Sequence, residues 1–173
     1  MRDTKVMPTQ QEFELNKNDF IVSKTNSKGI ITYGNKIFIK MSGYGELELL
    51  NKNHNMIRHT DMPKIAFKIA WDLIQNKKEF FGFVKNLRKD GGYYWVFANI
   101  TPDFDSSGNI IGYTSVRRKA NQQALKIIIP LYQELIKAEQ SGGMKASMEI
   151  LQKLLDDKNM SYNELIIALQ GSK

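Results

Sequence analysis

Ten consecutive residues, His54-Asn55-Met56-Ile57-Arg58-His59-Thr60-Asp61-Met62-Pro63, gather both histidines of the chain, an arginine and an aspartate. The planar fork of Arg58 can donate several hydrogen bonds to phosphate-type oxygens. His59 can stack on a flat ring or hydrogen-bond a polar group, or simply satisfy a helix end. Asp61 can orient Arg58, or serve as N-cap to the helix in whose first turn Pro63 sits. A second run, Lys85-Asn86-Leu87-Arg88-Lys89-Asp90-Gly91-Gly92-Tyr93-Tyr94-Trp95, reads as a hairpin turn flanked by aromatic strand residues. No paired carboxylates, nucleophile–base set or metal cluster stands out, so an enzyme is not expected. The chain has no cysteine, which excludes disulfides, thiolate zinc sites, cysteine nucleophiles and cysteinyl-adduct photochemistry, and fits a cytosolic protein.

The elements that must position these residues follow from periodicity. Phe20–Lys24 and Ile30–Tyr33 read as strands joined at Ser27-Lys28-Gly29. Asn35 caps a short helix with Ile37, Phe38 and Met41 inward, stopped by Gly43, and Gly45–Leu50 forms another helical piece. Phe67, Ala70, Trp71 and Ile74 fall at i, i+3, i+4 and i+7 of the helix after Pro63. Phe80–Arg88, Tyr93–Asp103 and Asn109–Lys119 read as three further strands. Both faces of the middle one are apolar, because Trp95 and Phe97 alternate with Tyr94, Val96 and Ala98. One face must line a pocket, and the other needs a covering helix or a second protomer. The tail is helical, interrupted at Pro130 and broken at Ser141-Gly142-Gly143. Met144, Met148, Leu151 and Leu155 form an interaction stripe, and Ser161–Glu164 a capping box. The expected organisation is a flexible cap over 1–19, a folded domain over 20–120 and a helical tail over 121–173 for dimerisation or partner docking.

At 173 residues the chain has room for one well-buried domain plus an appendage. No stretch approaches the roughly 20 apolar residues of a membrane span, and no secretory h-region opens the chain. Residues 20–119 hold 16 of the 25 basic side chains but only 8 of the 18 acidic ones. That field attracts polyanions such as a dinucleotide pyrophosphate, an anionic membrane face or an acidic partner, and a basic solvated surface accounts for it equally well. Nucleic acid is not expected, for want of a helix-turn-helix, zinc or RNA-stacking signature.

Over residues 20–120, and into the tail as far as Leu131-Tyr132, the chain resembles the FAD-binding PAS domains of bacterial aerotaxis and energy-taxis receptors. The residues that carry the resemblance are Ser42-Gly43-Tyr44, His54 through Pro63, Lys85-Asn86 with Arg88-Lys89, and Tyr94-Trp95-Val96 with Ala98-Asn99. It implies an α+β fold, a five-stranded antiparallel sheet with short helices on one face, followed by the C-terminal helical tail. It also implies non-covalent FAD binding, with Arg58, His59 and Asp61 matching the motif needed for it. Trp71 would face the cofactor, and Asn86 would set an amide beside the isoalloxazine edge, where it can donate and accept. Strand alternation turns Phe80 or Phe81 toward the pocket. Related sensors carry tryptophan where this chain has Phe80. Asn35 matches the family too, though a plain N-cap explains it equally. Arg117 is expected to be solvated; turned inward, it would favour an anionic reduced flavin.

The function so implied is a non-enzymatic redox sensor in the cytoplasm, a homodimer that signals to a membrane-bound chemotaxis transducer. The alternatives are a PAS sensor for haem, with His54 or His59 as axial ligand, or for another small ligand, and a ligand-free dimerisation scaffold.

Overall fold

The computed structural model describes residues 6–172; the first five residues of the expected N-terminal cap lie outside it. Five strands form one antiparallel sheet in the order β2-β1-β5-β4-β3. They are β1 (Ile21–Asn26), β2 (Ile31–Gly34), β3 (Phe80–Leu87), β4 (Tyr93–Phe104) and β5 (Ile110–Lys119). The expected α+β architecture is the one observed. Between β2 and β3 run α1 (Lys36–Ser42), α2 (Glu46–Leu49), a single 3-10 turn (His54–Ile57) and α3 (Lys64–Gln75). After β5 come α4 (Gln122–Lys158) and α5 (Tyr162–Gln170). No helix among the described residues is long and apolar enough to cross a membrane.

Asn35 fixes the first helix to the sheet. Its Oδ1 accepts from Phe38 N at 3.0 Å and Val22 N at 3.1 Å, and its Nδ2 donates to Phe20 O at 2.8 Å. Gly43 closes α1 with a φ of 75°, a conformation that only a residue without Cβ adopts freely. The helix so held buries Phe38 and Met41 in a cluster with Ile21, Ile31, Ile57, Tyr94 and Val96.

The opposite face of β3 and β4 is covered by the chain's own tail. Trp95 and Phe97 are buried against Leu125, Ile128 and Tyr132 of α4 and Leu165 and Ile166 of α5. The Tyr132 hydroxyl donates to Phe83 O at 2.7 Å. The apolar alternation on both faces of β4 is thus resolved within one chain. Helix α4 runs through Pro130 rather than restarting there, and breaks at Gly143, with φ 69° and ψ −170°. Beyond the break Leu151 and Leu155 return to the same cluster.

The start of α3 departs from the sequence expectation. Its N-cap position is Pro63, which offers no side-chain oxygen. Asp61 does not take the orphan amides; Glu139 of α4 does, from Lys64 N at 2.9 Å and Ile65 N at 2.8 Å. Asp61 lies two residues before the cap and turns to Lys85 Nζ at 2.7 Å.

Candidate functional site

Between the inner face of the sheet and α3 lies a cavity of about 320 Å³. Strand alternation supplies its floor: Ser23 and Thr25 from β1, Ala98 and Ile100 from β4, and Tyr113, Ser115 and Arg117 from β5. The roof is the α3 stripe of Phe67, Ala70, Trp71 and Ile74, so the apolar face read from the sequence is the face that meets the cavity. Segment His54–Arg58 forms one wall and β3 contributes Phe80, Val84 and Asn86 to another.

Most of this lining is apolar, which makes its polar atoms informative. Arg117 is 2% exposed, and it is a correction to the expected solvated arginine. It lies on β5 opposite Ile21, with Ser115 opposite Ser23, so the register that buries Ile21 also buries Arg117. Its Nη2 donates to Ser23 Oγ, and its guanidinium sits 4.7 Å from the centre of the Phe38 ring. Nε and Nη1 are buried without a partner, and no carboxylate pairs with it among the described residues. Burial pulls its pKa down to about 10, since desolvation disfavours the charged form. The uncompensated charge is a large local term in an otherwise apolar chamber.

Ser23 passes the contact on. Its hydroxyl is 3.0 Å from His54 Nε2, and the His54 ring stacks on Phe38 at 5.7 Å. Burial first, and the Arg117 charge second, push the His54 pKa down to about 3. His54 is therefore neutral at physiological pH, and Ser23 can donate to Nε2 while accepting from Arg117. On the other side Asn86 and Tyr94 are cross-strand neighbours. Asn86 Nδ2 and the Tyr94 hydroxyl are both buried, and neither makes a hydrogen bond of normal geometry among the described residues. The amide is near enough to favour the phenolate. Burial raises the Tyr94 pKa, against the pull of Arg117 and Arg88, so its phenol stays protonated.

Four of the residues singled out from the sequence converge on the cavity: Arg58, Trp71, Phe80 and Asn86. Arg58 is half-buried at the wall, its guanidinium 3.8 Å above the Phe67 ring, and an isolated bridge joins its backbone to Asn86. Trp71, 36% exposed, meets Tyr113 edge-on at 5.5 Å. Phe80 stacks on Tyr162 of α5 at 5.7 Å. Phe81 turns to the other face, against Phe97.

Three others lie outside the lining. Asn35 spends its amide on the α1–β1 junction. His59 is buried, accepting from Asp61 N on Nδ1 at 3.0 Å, with burial and the Lys85 charge holding its pKa below the usual imidazole range. Asp61 pairs with Lys85 rather than orienting Arg58. Ser23, His54 and Arg117 are the cavity residues that sequence reasoning undervalued. For Arg117 the parity with Tyr113 and Ser115 along β5 was the available signal.

This arrangement, a sheet whose inner face and a bank of short helices enclose one ligand-sized chamber, is that of a sensor fold. The family model described as "PAS fold" matches residues 31–117, and the chain belongs to that family. It is 40% identical over 127 residues to the aerotaxis receptor of Escherichia coli (strain K12), a match covering 73% of this chain and 25% of the receptor. Over 97 residues it is 29% identical to the nitrogen fixation regulatory protein of Klebsiella pneumoniae, covering 56% of this chain and 20% of that protein. The chain thus spans a quarter or less of the length of these relatives. Among solved structures, the LOV domain of the blue-light photoreceptor Aureochrome1 in its dark state superposes with a TM-score of 0.57 at 21% identity. That match covers 65% of this chain and 82% of the LOV chain, and shows the shared fold.

Proposed function

We propose that this chain binds FAD non-covalently in its PAS cavity and reports the flavin's redox state by protein–protein contact to a membrane-bound chemotaxis transducer, with no catalysis of its own. The observation that carries the reading is the set of buried, unpartnered donors at one apolar-walled cavity: Asn86 Nδ2 and Arg117 Nε and Nη1. Such groups are costly unless a ligand satisfies them. A flat ring with carbonyl and nitrogen acceptors on one edge meets that demand. The volume falls at the low end of small-molecule sites, about 300 to 1,000 Å³. It suits a ring system, with a nucleotide leaving toward Arg58.

FAD would supply a ring that takes up electrons and protons, changing charge and hydrogen bonding along that edge. The residues here respond to such a change in definite ways. Asn86 can present either its N–H or its carbonyl by turning its amide. Arg117 keeps its proton at any physiological pH and favours negative charge beside it. Trp71 and Phe80 fix the ring plane, and Phe80 touches α5 directly through Tyr162. A signal can therefore leave through the tail. A population shift of 100-fold needs about 2.7 kcal/mol of differential interaction, which one or two buried polar contacts supply.

The reading places the module in the cytoplasm. A homodimer would have to use surfaces other than the tail-covered face of β3 and β4; Phe20, Tyr33 and Val116 are exposed apolar residues.

The test is an absorption spectrum of the purified chain before and after dithionite, with the released cofactor identified by mass. A yellow protein that bleaches and releases FAD supports the reading, and Asn86→Leu should then fold but lose flavin. A Soret band would replace FAD with haem. A colourless protein that takes up no added FAD would leave a ligand-free scaffold.

A further inference from the structure

One carboxylate ties the tail to the cavity. Glu139 closes the N-terminus of α3 through Lys64 N and Ile65 N, from 75 and 74 residues away. Its Oε1 also accepts from Ser147 Oγ at 3.2 Å, across the break at Gly143. Burial lowers the Arg58 pKa, and the Glu139 charge offsets part of that lowering. Arg58 in turn lines the cavity and stacks on Phe67, which belongs to the same helix α3. Roof helix and distal tail thus meet at one carboxylate, and the wall arginine packs on the first turn of the same helix.

Resting on the FAD reading of that cavity, we propose that Glu139 is a charge-sensitive latch. A phosphate group arriving at Arg58, which packs on the first turn of α3, repels the Glu139 carboxylate held at the start of that helix. The helix N-terminus favours either anion, but two like charges at close quarters oppose each other. Occupancy by a phosphate-bearing ligand therefore loosens the hold of Glu139, and with it the Ser147 contact that joins the two halves of α4. Gly143, already outside helical geometry, is where the distal half can swing. Coupling is reciprocal: whatever factor the ligand takes from tail docking, the latch takes from ligand affinity. Glu139 acts through Arg58 and α3, as a positioning residue.

The experiment is hydrogen–deuterium exchange on the full chain without ligand, with FAD, and with riboflavin, which has the ring but no phosphate. FAD should speed exchange in peptides from 144–158 by about fivefold, at the low end of coupling factors, and riboflavin should not. Glu139→Gln keeps an acceptor for the helix amides and removes the charge. It should bind FAD about fivefold more tightly with riboflavin affinity unchanged, and show no further FAD effect on exchange. FAD that leaves the tail as protected as before, or a Glu139→Gln variant with an unchanged FAD-to-riboflavin affinity ratio, overturns the latch. If neither flavin binds, the FAD reading fails separately. The latch is then read with inorganic pyrophosphate, and unchanged exchange overturns it in that arm too.

Discussion

Replacing Arg117 with methionine removes the buried charge of the cavity floor while keeping an unbranched side chain of similar reach. The magnitude comes from what burial does to that charge. The pKa of Arg117 falls from 12.5 to about 10 through desolvation. At about 1.4 kcal/mol for each tenfold, the buried charge costs on the order of 3 kcal/mol. The residue is almost completely shielded from solvent, so screening takes little away. Negative charge developing on a ligand beside it recovers energy of that order. For a two-electron couple about 30 mV corresponds to 1.4 kcal/mol, which puts the effect on the potential at a scale of roughly 70 mV.

The sign follows from the charge. A cation stabilises the reduced, more anionic ligand, so removing it lowers the midpoint potential. Arg117→Met should lower it by about 30–70 mV, and Arg117→Lys, which keeps the charge, by less than half of that. Dithionite titration against indicator dyes reads both. The ligand-free protein gives an independent measurement. Exchanging an unpaired buried charge for an apolar side chain is commonly neutral or stabilising, so Arg117→Met should unfold in urea at the same or higher concentration. A potential that stays put or rises would refute the claim that this charge faces the ring. A ligand-free variant destabilised by more than about 2 kcal/mol would show that Ser23 and Phe38 already compensate the charge.

Two further outcomes test the surroundings. His54 has a pKa near 3 when folded and about 6.5 when unfolded, so between these values the unfolded chain binds the extra proton and acid destabilises the fold. By pH 4.5 this amounts to about 2–3 kcal/mol relative to neutral pH. Urea melts at both pH values should show that His54→Asn removes that share of the acid loss, and equal losses in the two proteins would mean His54 is open to water. Ile166→Ala should cost about 2–5 kcal/mol of stability by the cavity it leaves in the cluster under α5. A cost below about 1 kcal/mol would mean that α5 does not seal the outer face of the sheet.

What the sequence made legible, and what it hid, divides along one physical line. Strand alternation and turn chemistry are local, so β1–β5, the α1 cap at Asn35 and the cavity-facing stripe of α3 could all be read from spacing. The doubly apolar β4 even announced that something must cover Trp95 and Phe97, because exposed aromatic surface of that size is unfavourable. The α3 cap was not legible. Asp61 stood in a plausible position, but a carboxylate 75 residues downstream took the amides, and nothing in the local pattern marks Glu139. Arg117 failed for the opposite reason. Its parity with Tyr113 and Ser115 pointed inward all along, and a rule about residue type, that arginine stays in water unless paired, outweighed the period. That rule still holds where the chain must supply the partner itself. At a ligand cavity part of the pairing is left for the ligand, so a buried charge with no protein partner and a correct inward parity is a reason to look for the molecule that completes it.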